Sequence, residues 1–398
     1  MQSEKAMKNT VIASAVRTAG GSFGGKLAGI EAPGLGALVT SAAVKRAGIA
    51  PEAVDELIFG CGWQAGIGPN MARISSVKGG LPNTTTAYTV NLRCASSLKA
   101  VAIGDTTIRS GDADVLVVGG AESSSNVPYV LKEARWGQRM GDKQVYDVLH
   151  KDGFMCQLAG MLMGSTAELL AEKYQISREE QDAFAVESHT KAVKAMQEGR
   201  FGEEVLPVEV KVGKTTERFC MEEIPRDNVN LASMAKLPAV FKKDGTVTPG
   251  NSCALCDAAA AMVIMSPDKA LELQVKAMAV IRSSATAGVD PKYMGIGPVE
   301  AIPIALKKAG MTLKDIDLIE LNEAFAVQYL AVEREMKWDR SKVNVHGGAI
   351  ALGHPVGATG VKILTTLLYA LQRYDKQVGL VSLCIGGGQG MAMIVERV

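Results

Sequence analysis

Residues 343–360 read Val-Asn-Val-His-Gly-Gly-Ala-Ile-Ala-Leu-Gly-His-Pro-Val-Gly-Ala-Thr-Gly and decide how the chain is organised. Five glycines and a proline crowd one histidine, His354, in a chain that has only four histidines. Such a loop lets the backbone approach a ligand closely. The apolar pattern after it predicts a helix, His354–Arg373, with the imidazole at its start. We therefore interpret His354 as a functional residue rather than a buried structural one.

The same stretch is part of a weak internal repeat. One copy runs from Val343-Asn344 through a glycine-rich segment and a helix to a strand, Gly379–Leu383. The other runs from Val90-Asn91 through a small-residue segment and a helix to a strand, Asp114–Val118. Two copies packed face to face would place an active site between corresponding loops. Any two strand–helix–strand units look alike, however, so spacing alone leaves the repeat open.

Short apolar runs alternate with longer helical patterns over most of the chain, which predicts an α/β fold with buried strands. The predicted strands are Thr10–Ala15, Glu56–Phe59, Asp114–Val118, Leu318–Leu321 and Gly379–Leu383. The predicted helices are Ala32–Ala47, Cys94–Ser110, Ser177–Glu198, Val299–Lys308, Ala324–Glu335 and His354–Arg373. A capping box, Ser177 with Glu180, begins the third of these helices. Residues 123–248 are more polar and lack the alternation, which indicates a large insertion or lid.

Composition and charge exclude several classes of protein. The 398 residues are 47% apolar and 21% charged, and a net charge of +1 favours neither nucleic acid nor an anionic membrane. Met1–Asn9 is polar, and no apolar stretch is long enough to span a bilayer, so we expect a cytoplasmic location. The seven cysteines include one C-x-x-C, Cys253 and Cys256, without a second pair or nearby histidine. We expect no metal site, no disulfide framework and reduced thiols.

Three further segments place reactive side chains after predicted strands. Cys94 lies where a strand ends and a helix begins, where unpaired N–H groups and the helix dipole favour a thiolate. A small buried cysteine is the alternative reading. Cys384 precedes the glycines that begin at Gly386, which could cradle phosphate, although no phosphate-loop fingerprint is present. Asn322 follows a buried strand, where its amide could orient a water or cap a helix.

Taken in this order, the four segments resemble the thiolase family, and the similarity runs nearly from end to end. The flanking segments that share it are Val11–Gly21, Ala121–Tyr129, Trp136–Asp142, Gly245–Asn251 and Ala287–Pro298. The resemblance implies an α/β thiolase fold: two similar βαβαβαββ halves in a five-layered αβαβα core plus a loop domain. The implied division is 1–122, continued by about 247–271, for the first half, 123–246 for a loop domain that binds CoA, and 272–398 for the second half.

The resemblance implies ping-pong thiolysis of acetoacetyl-CoA, or the reverse Claisen condensation of two acetyl-CoA molecules. Cys94 would carry the acyl group, with His354 taking its proton. Cys384 would exchange the α-proton of the second acyl-CoA. The enolate oxygen would be stabilised by His354 and a water held by Asn322. The N–H groups of Cys94 and Gly386 would form the other oxyanion hole, where we expect glycine to be required for a tight turn.

The resemblance also implies a short acyl pocket. Met163, Met294 and Phe325 match positions that wall it, although ordinary core methionines are the alternative among 18. Cys253 stands where the family has a CoA-contacting serine, and Arg226 is one basic candidate for the nucleotide phosphates. Further departures are Leu162 for a family histidine, Ser97 and Ala258 for glycines, Cys256 for an asparagine and His346 for an asparagine. These departures lie outside the four catalytic residues, so they bear on CoA contacts and substrate preference more than on the class of reaction.

Three alternatives stay open. A ketoacyl synthase on the same fold would pair the cysteine with two histidines, whereas Cys384 occupies the place of one and His346 lies in a different slot. A longer-chain 3-ketoacyl-CoA thiolase and an inactive CoA-binding scaffold are the others. We expect acyl-CoA and CoA as the only small-molecule partners, with no metal or organic cofactor beyond CoA as substrate. A homodimer or homotetramer is implied, and Trp136–Asp142, which resembles a tetramerisation loop, favours the tetramer.

Overall fold

A computed structural model describes residues 9–398, so most of the polar segment Met1–Asn9 lies outside the described residues. The longer strands of the central sheet are β1 Val11–Thr18, β2 Glu56–Gly60, β3 Thr86–Val90, β4 Val115–Ser123, β5 Cys256–Met265, β6 Ala279–Gly288, β7 Leu318–Leu321, β8 Val378–Ile385 and β9 Gln389–Arg397. The α-helices of eight or more residues in this range are α1 Ala32–Ala47, α2 Met71–Lys78, α3 Ser96–Ser110, α4 Met163–Tyr174, α5 Arg178–Gln197, α6 Gly297–Ala309, α7 Ala326–Met336 and α8 Thr359–Arg373.

The sheet consists of two similar halves joined at one seam. Its strand order is β7-β8-β9-β6-β1-β5-β4-β2-β3. In the first half β2 pairs parallel with β3 and β4, and β5 pairs antiparallel with β4 and β1. In the second half β8 pairs parallel with β7 and antiparallel with β9, which pairs antiparallel with β6. The halves meet where β1 and β6 pair over two residues, Val11 and Ile12.

The predicted repeat is confirmed by this topology. Val343 forms a parallel bridge to Ile319 in β7, just as β3, which ends at Val90, pairs parallel with β2. Strands β4 and β8, predicted to correspond, occupy equivalent places beside β2 and β7. The two copies are therefore similar in their strand pairing as well as in their sequence spacing.

The five-layered core that the resemblance implies is present. Helices α1 and α2 cover the outer face of the first half, and α6 and α7 cover that of the second. Helices α3 and α8 pack against each other in the middle layer, where Leu98 and Leu364 share one cluster with side chains from both halves of the sheet. Strands covered on both faces read as continuous apolar runs, and all eight residues of β1 are buried.

Residues 123–246 contain two long helices, α4 and α5, and a hairpin of strands Val208–Val212 and Thr215–Phe219. The capping box is confirmed, because Ser177 accepts from the Glu180 N–H and Glu180 accepts from the Ser177 N–H. The sequence pattern does not predict α4 or the alanine-rich strand β5. Because β5 pairs with β4 and β1, the chain re-enters the first half of the sheet after this insertion. The domain boundaries themselves stay predictions.

Several predicted helices begin later than expected, and for α3 and α8 the difference changes the surroundings of a reactive residue. Helix α8 begins at Thr359, so His354 lies in the loop before it and not at its start. Helix α3 begins at Ser96, and Cys94 lies in the single 3-10 turn Arg93–Ala95 that precedes it. Helix α7 begins at Ala326. Within residues 9–398 no helix is long and apolar enough to cross a bilayer.

Candidate active site

One inner cavity is lined by residues from nine separate stretches of the chain. It measures about 70 Å³. Its predicted lining residues are Cys94, His354, Cys384, Gly386, Met163, Met294, Phe325 and Cys253. The remaining lining residues are Trp63, Arg93, Gly153, Phe154, Ala324 and Val356. Among these lining residues, the ionisable groups are the thiols of Cys94, Cys253 and Cys384, the imidazole of His354 and the guanidinium of Arg93.

Cys94 is held by a strained turn between β3 and α3. Arg93 has a left-handed φ of +48°, which is costly for a residue with a side chain. The turn is braced by Ser96, whose Oγ donates to the Arg93 carbonyl at 2.6 Å and accepts from the Leu92 N–H at 2.8 Å. The N–H groups of Gly386 and of Cys94 itself reach the Cys94 sulfur. This is where the predicted oxyanion hole would need its two donors.

The expected thiolate at Cys94 is wrong. Burial raises the pKa of Cys94, and the nearby Arg93 charge and the two N–H groups offset only part of that increase. Burial disfavours the charged form of a thiol. Cys94 is thus a neutral thiol near pH 7 that must lose its proton to a base.

His354 is oriented through both ring nitrogens. Its Nδ1 lies 2.6 Å from the Thr359 hydroxyl, and its Nε2 lies 3.5 Å from the Asn322 amide nitrogen. An Asn322 N–H that donates to Nε2 fits a neutral ring whose Nδ1–H donates to Thr359. Burial lowers the pKa of His354 to about 3, assisted by the charges of Lys362 and Arg93. The imidazole is therefore neutral over the physiological range, with Nε2 as its acceptor.

Cys384 and Gly386 follow the end of the buried strand β8. Burial raises the pKa of Cys384 well above its usual range, and the neighbouring thiols Cys94 and Cys253 raise it further. The expected reason for glycine at 386 is wrong, since the left-handed residues of this turn are Gly387 and Gly388. A Cβ at position 386 would lie 2.9 Å from the Met163 Cε, so a larger residue there would have to move the end of that flexible side chain.

Asn322 does not cap α7. The residue at the N-cap is Phe325, which makes no side-chain capping bond. The Asn322 Oδ1 is buried and has no hydrogen-bond partner among residues 9–398. Since buried polar atoms are nearly always paired, this oxygen is suited to hold a water beside His354.

Two buried carboxylates that the sequence did not single out fix the loops around the cavity. Glu122, near the end of β4, accepts from the N–H groups of Gly62 and Gly357, each at 2.7 Å. Glu323 accepts from the Ser188 hydroxyl at 2.7 Å and from the Asn344 amide at 2.8 Å. Their position directly at strand ends is the signal that could have identified them.

An outer cavity of about 270 Å³ adjoins the inner one. The two share Phe154, Met163, Cys253, Phe325, His354 and Val356. The outer cavity is also lined by Leu162 and by Phe241 from the insertion. Two of the departures from the family pattern, Leu162 and Cys253, thus lie on this wall. Burial raises the pKa of Cys253 to about 12.

Arg226 and His346 lie away from both cavities. Arg226 is exposed, and its backbone N–H donates to His189 Nδ1 at 3.2 Å. His346 is buried against Phe201 and Tyr374, and its Nε2 lies 3.2 Å from the Tyr374 hydroxyl. His346 does not line the inner cavity, whereas His354 lines it together with Cys94 and Cys384. Within residues 9–398 no cluster of His, Cys, Asp and Glu side chains is arranged to hold a metal ion.

Comparison with known proteins agrees with this geometry. Family models match residues 10–268 as "Thiolase, N-terminal domain" and residues 275–397 as "Thiolase, C-terminal domain". The chain belongs to the thiolase family. This thiolase is 51% identical to an acetyl-CoA acetyltransferase of Escherichia coli K12, over 98% of this chain and all of the relative. It is 46% identical to a probable acetyl-CoA acyltransferase of Staphylococcus aureus over the same shares.

Solved structures resemble this thiolase equally closely. The Bacillus anthracis acetyl-CoA acetyltransferase superposes with a TM-score of 0.97 at 42% identity, covering 99% of this chain and all of the other. Human mitochondrial 3-ketoacyl-CoA thiolase superposes with a TM-score of 0.95 at 41% identity, covering 98% and 99%. The predicted thiolase fold is confirmed.

Proposed function

We propose that this thiolase is an acetyl-CoA C-acetyltransferase, which thiolyses acetoacetyl-CoA or condenses two acetyl-CoA molecules through an acetyl-Cys94 intermediate. The observation that carries the proposal is the inner cavity. It holds two thiols, Cys94 and Cys384, and one neutral imidazole, His354, within small apolar walls. The names of the relatives at 46–51% identity support the same activity.

In the first half-reaction His354 Nε2 takes the Cys94 proton, and the sulfur attacks the 3-keto carbon of acetoacetyl-CoA. The tetrahedral oxyanion is placed near the N–H groups of Cys94 and Gly386, and each donor of this kind contributes about 2.7–4 kcal/mol to the transition state. The bond between C2 and C3 then breaks. The acetyl group stays on Cys94, and the enolate of acetyl-CoA takes the proton of Cys384.

In the second half-reaction the CoA thiol gives its proton to Cys384 and attacks the acetyl-Cys94 carbonyl. Cys94 leaves as a thiolate and recovers its proton from His354. The enolate oxygen that forms in the first half-reaction needs hydrogen-bond donors in addition to His354. The Asn322 Oδ1, which has no partner among residues 9–398, supports a bound water as one of them. No metal or organic cofactor other than CoA is required, since thiols and imidazole supply every proton transfer.

The walls of the inner cavity favour a short acyl group. Met163, Met294 and Phe325 leave a cavity of only about 70 Å³ beside the three thiols. A 3-ketoacyl-CoA with a longer chain is the second candidate substrate. The observation that favours it is the adjoining outer cavity, whose lining is almost wholly apolar because Leu162, Phe241 and Phe154 face it.

The remaining features of the proposal concern CoA and assembly. Residues 123–246 would bind CoA, since this insertion supplies part of the outer cavity, and Arg226 is an exposed candidate for the phosphates. A homotetramer is favoured over a dimer because Trp136 and Met140 are 87% and 103% exposed on one loop. Seven free cysteines, one of them exposed, support a reducing, cytoplasmic location. The net charge of +1 favours neither a membrane nor a nucleic-acid partner.

The test is CoA-dependent consumption of acetoacetyl-CoA by the intact protein, Cys94→Ala and Cys384→Ala. We expect rapid thiolysis by the intact protein and a loss of at least about 10⁴-fold in each variant, as for other covalent nucleophiles and bases. Mass spectrometry after acetyl-CoA treatment should find the acetyl group on Cys94. Activity on long 3-ketoacyl-CoA alone would favour the second candidate. Absence of any acylation would favour an inactive scaffold.

A further inference from the structure

A second buried network lies directly beneath the His354 loop. Arg17 in β1 forms ion pairs with Glu204 at 2.6 Å and with Glu222 at 2.5 Å, and all three side chains are at most 1% exposed. Glu222 also accepts from the Gly20 N–H at 2.6 Å, and Thr366 in α8 donates to Glu204 at 3.1 Å. These segments come from both ends and the middle of the chain.

Lys362, on the first turn of α8, connects this network to the catalytic loop. Its side chain is 3% exposed, and its ammonium donates to the carbonyls of Leu352 at 2.5 Å and Gly353 at 3.1 Å. These are the two residues immediately before His354. A buried ammonium is costly unless its donors are satisfied. The two carbonyls of the His354 loop satisfy donors of this ammonium, which indicates that Lys362 serves that loop and does not merely fill space.

The space around Lys362 leaves the His354 loop little freedom. A Cβ placed at Gly20 would lie 2.8 Å from the Leu352 carbonyl oxygen and 3.0 Å from Glu222 Oε2. Gly353 has a left-handed φ of +79°, and a Cβ there would lie 2.6 Å from Cys256 Cβ. The loop is therefore confined between β1 and β5, and Lys362 fixes its two carbonyls.

The other flank of His354 is held by a charge of opposite sign. Glu122 accepts from the Gly357 N–H at 2.7 Å, three residues after His354. Thr359 holds the ring itself. An ammonium on the preceding carbonyls and a carboxylate on the following amide together define where the imidazole lies relative to Cys94.

We propose that Lys362 is a positioning residue for His354, which holds the imidazole against Cys94 by fixing the carbonyls of Leu352 and Gly353. This rests on the proposed function only in the assignment of His354 as the base for Cys94. Misplacement of a catalytic group by about 1 Å can cost about 100-fold in rate. Lys362 touches neither cavity, so its loss should lower kcat without weakening substrate binding.

The experiment compares Lys362→Met, Lys362→Arg and, as a matched control, Thr366→Val. Thr366 lies one turn further along α8 in the same network but does not contact the His354 loop. We expect Lys362→Met to lower kcat for acetoacetyl-CoA thiolysis about 100-fold with KM changed less than about 3-fold. Lys362→Arg, which keeps the charge and donors, should recover most of the rate, and Thr366→Val should stay near the intact protein.

A second readout does not depend on thiolase activity. Iodoacetamide alkylates Cys94 when the sulfur displaces iodide and the thiol proton passes to the base, and peptide mass spectrometry follows that residue alone. We expect alkylation about 10-fold slower in Lys362→Met and unchanged in Thr366→Val. If Lys362→Met does not fold, Lys362→Leu, which likewise removes the charge and every donor, takes its place with the same expectations.

The outcomes separate the two proposals. An intact protein without thiolysis counts against the proposed function, while slower Cys94 alkylation in Lys362→Met still supports the positioning role. A folded Lys362→Met with undiminished kcat and alkylation overturns that role and leaves the proposed function standing. An equal loss in Thr366→Val would also overturn it, because the effect would then be one of general packing.

Discussion

The inner and outer cavities share six residues and differ in what the remaining walls are made of. The inner cavity is closed by residues at the ends of core elements, such as Cys94 before α3 and Cys384 at the end of β8. The outer cavity takes part of its wall from the insertion, including Leu162 and Phe241. Cys94, Cys384 and Gly386 line the inner cavity alone, Leu162, one of the departures from the thiolase pattern, lines the outer cavity alone, and Cys253 lines both. Of the walls that are not shared, those of the inner cavity come mainly from the two halves of the core, and four of the seven in the outer cavity come from the insertion.

After loss of the Cys94 nucleophile itself, the largest expected effect is that of His354→Asn, which removes the base from the inner cavity. We expect kcat for thiolysis to fall about 10²–10⁴-fold, the usual range for general acid–base catalysis. Steady-state kinetics with acetoacetyl-CoA and CoA measure it. A fall of less than 10-fold would mean that the inner cavity does not supply the base.

Gly386→Ala tests whether space at one oxyanion donor is what the inner cavity requires. The new Cβ would contact the Met163 Cε and displace either that side chain or the Gly386 N–H. Since Met163 can move and alanine keeps the N–H, we expect about a 10-fold loss of kcat, in the range of a mild overpacking cost.

Met163→Ala in the Gly386→Ala background is the matched control, because it removes the atom that the new methyl meets. Recovery of about 10-fold is expected if displacement by Met163 is the cause. No recovery would show that the loss at position 386 has another origin than this contact.

Cys253→Ser probes the boundary between the two cavities, since Cys253 lines both. A hydroxyl is a stronger hydrogen-bond partner than a thiol. We expect KM for CoA to fall by less than about 10-fold, with kcat within about 3-fold of the intact protein. Steady-state kinetics at varied CoA concentration measure both constants. A change in kcat of more than about 10-fold would mean that Cys253 takes part in the catalytic steps and not only in CoA binding.

His346→Gln has the smallest expected effect on activity, because this histidine lies outside both cavities. Burial lowers the pKa of His346 to about 4, helped by nearby arginines. The unfolded chain, with a histidine pKa of about 6.5, then binds more protons than the folded one between pH 6.5 and 4. Histidine at 346 therefore makes the protein lose stability as pH falls through that window. From pH 7 to pH 5 we expect the intact protein to lose about 2 kcal/mol more than the variant.

Urea unfolding at both pH values measures this difference, and unchanged thiolysis is the accompanying control. Equal pH dependence of the two proteins would contradict the assignment of His346 as a buried neutral ring. Other buried groups cancel in the comparison, because they are common to both proteins.

Much of the fold and the candidate site could be predicted from the sequence, and the exceptions share a cause. Helix α1 and strand β7 have the predicted bounds, and the repeated units occupy equivalent places. Strand β5 is not predicted because its four consecutive alanines carry no strand preference of their own. Its conformation comes from pairing with β4 and β1, which lie far away along the chain. The helix start expected at His354 is wrong because the loop is held by Lys362 and Glu122 instead.

The sequence by itself determined the alternation of buried strands and helices, the thiolase pattern and eight of the fourteen residues that line the inner cavity, because these depend on local composition and order. Only the tertiary structure decided the protonation of those residues. Cys94 is a neutral thiol and His354 a neutral imidazole because burial outweighs the local helix and charge effects. Burial and the bonds that hold the loops come from segments as much as 235 residues apart, as between Glu122 and Gly357. Desolvation depends on how those segments pack, and no local pattern of residues specifies that.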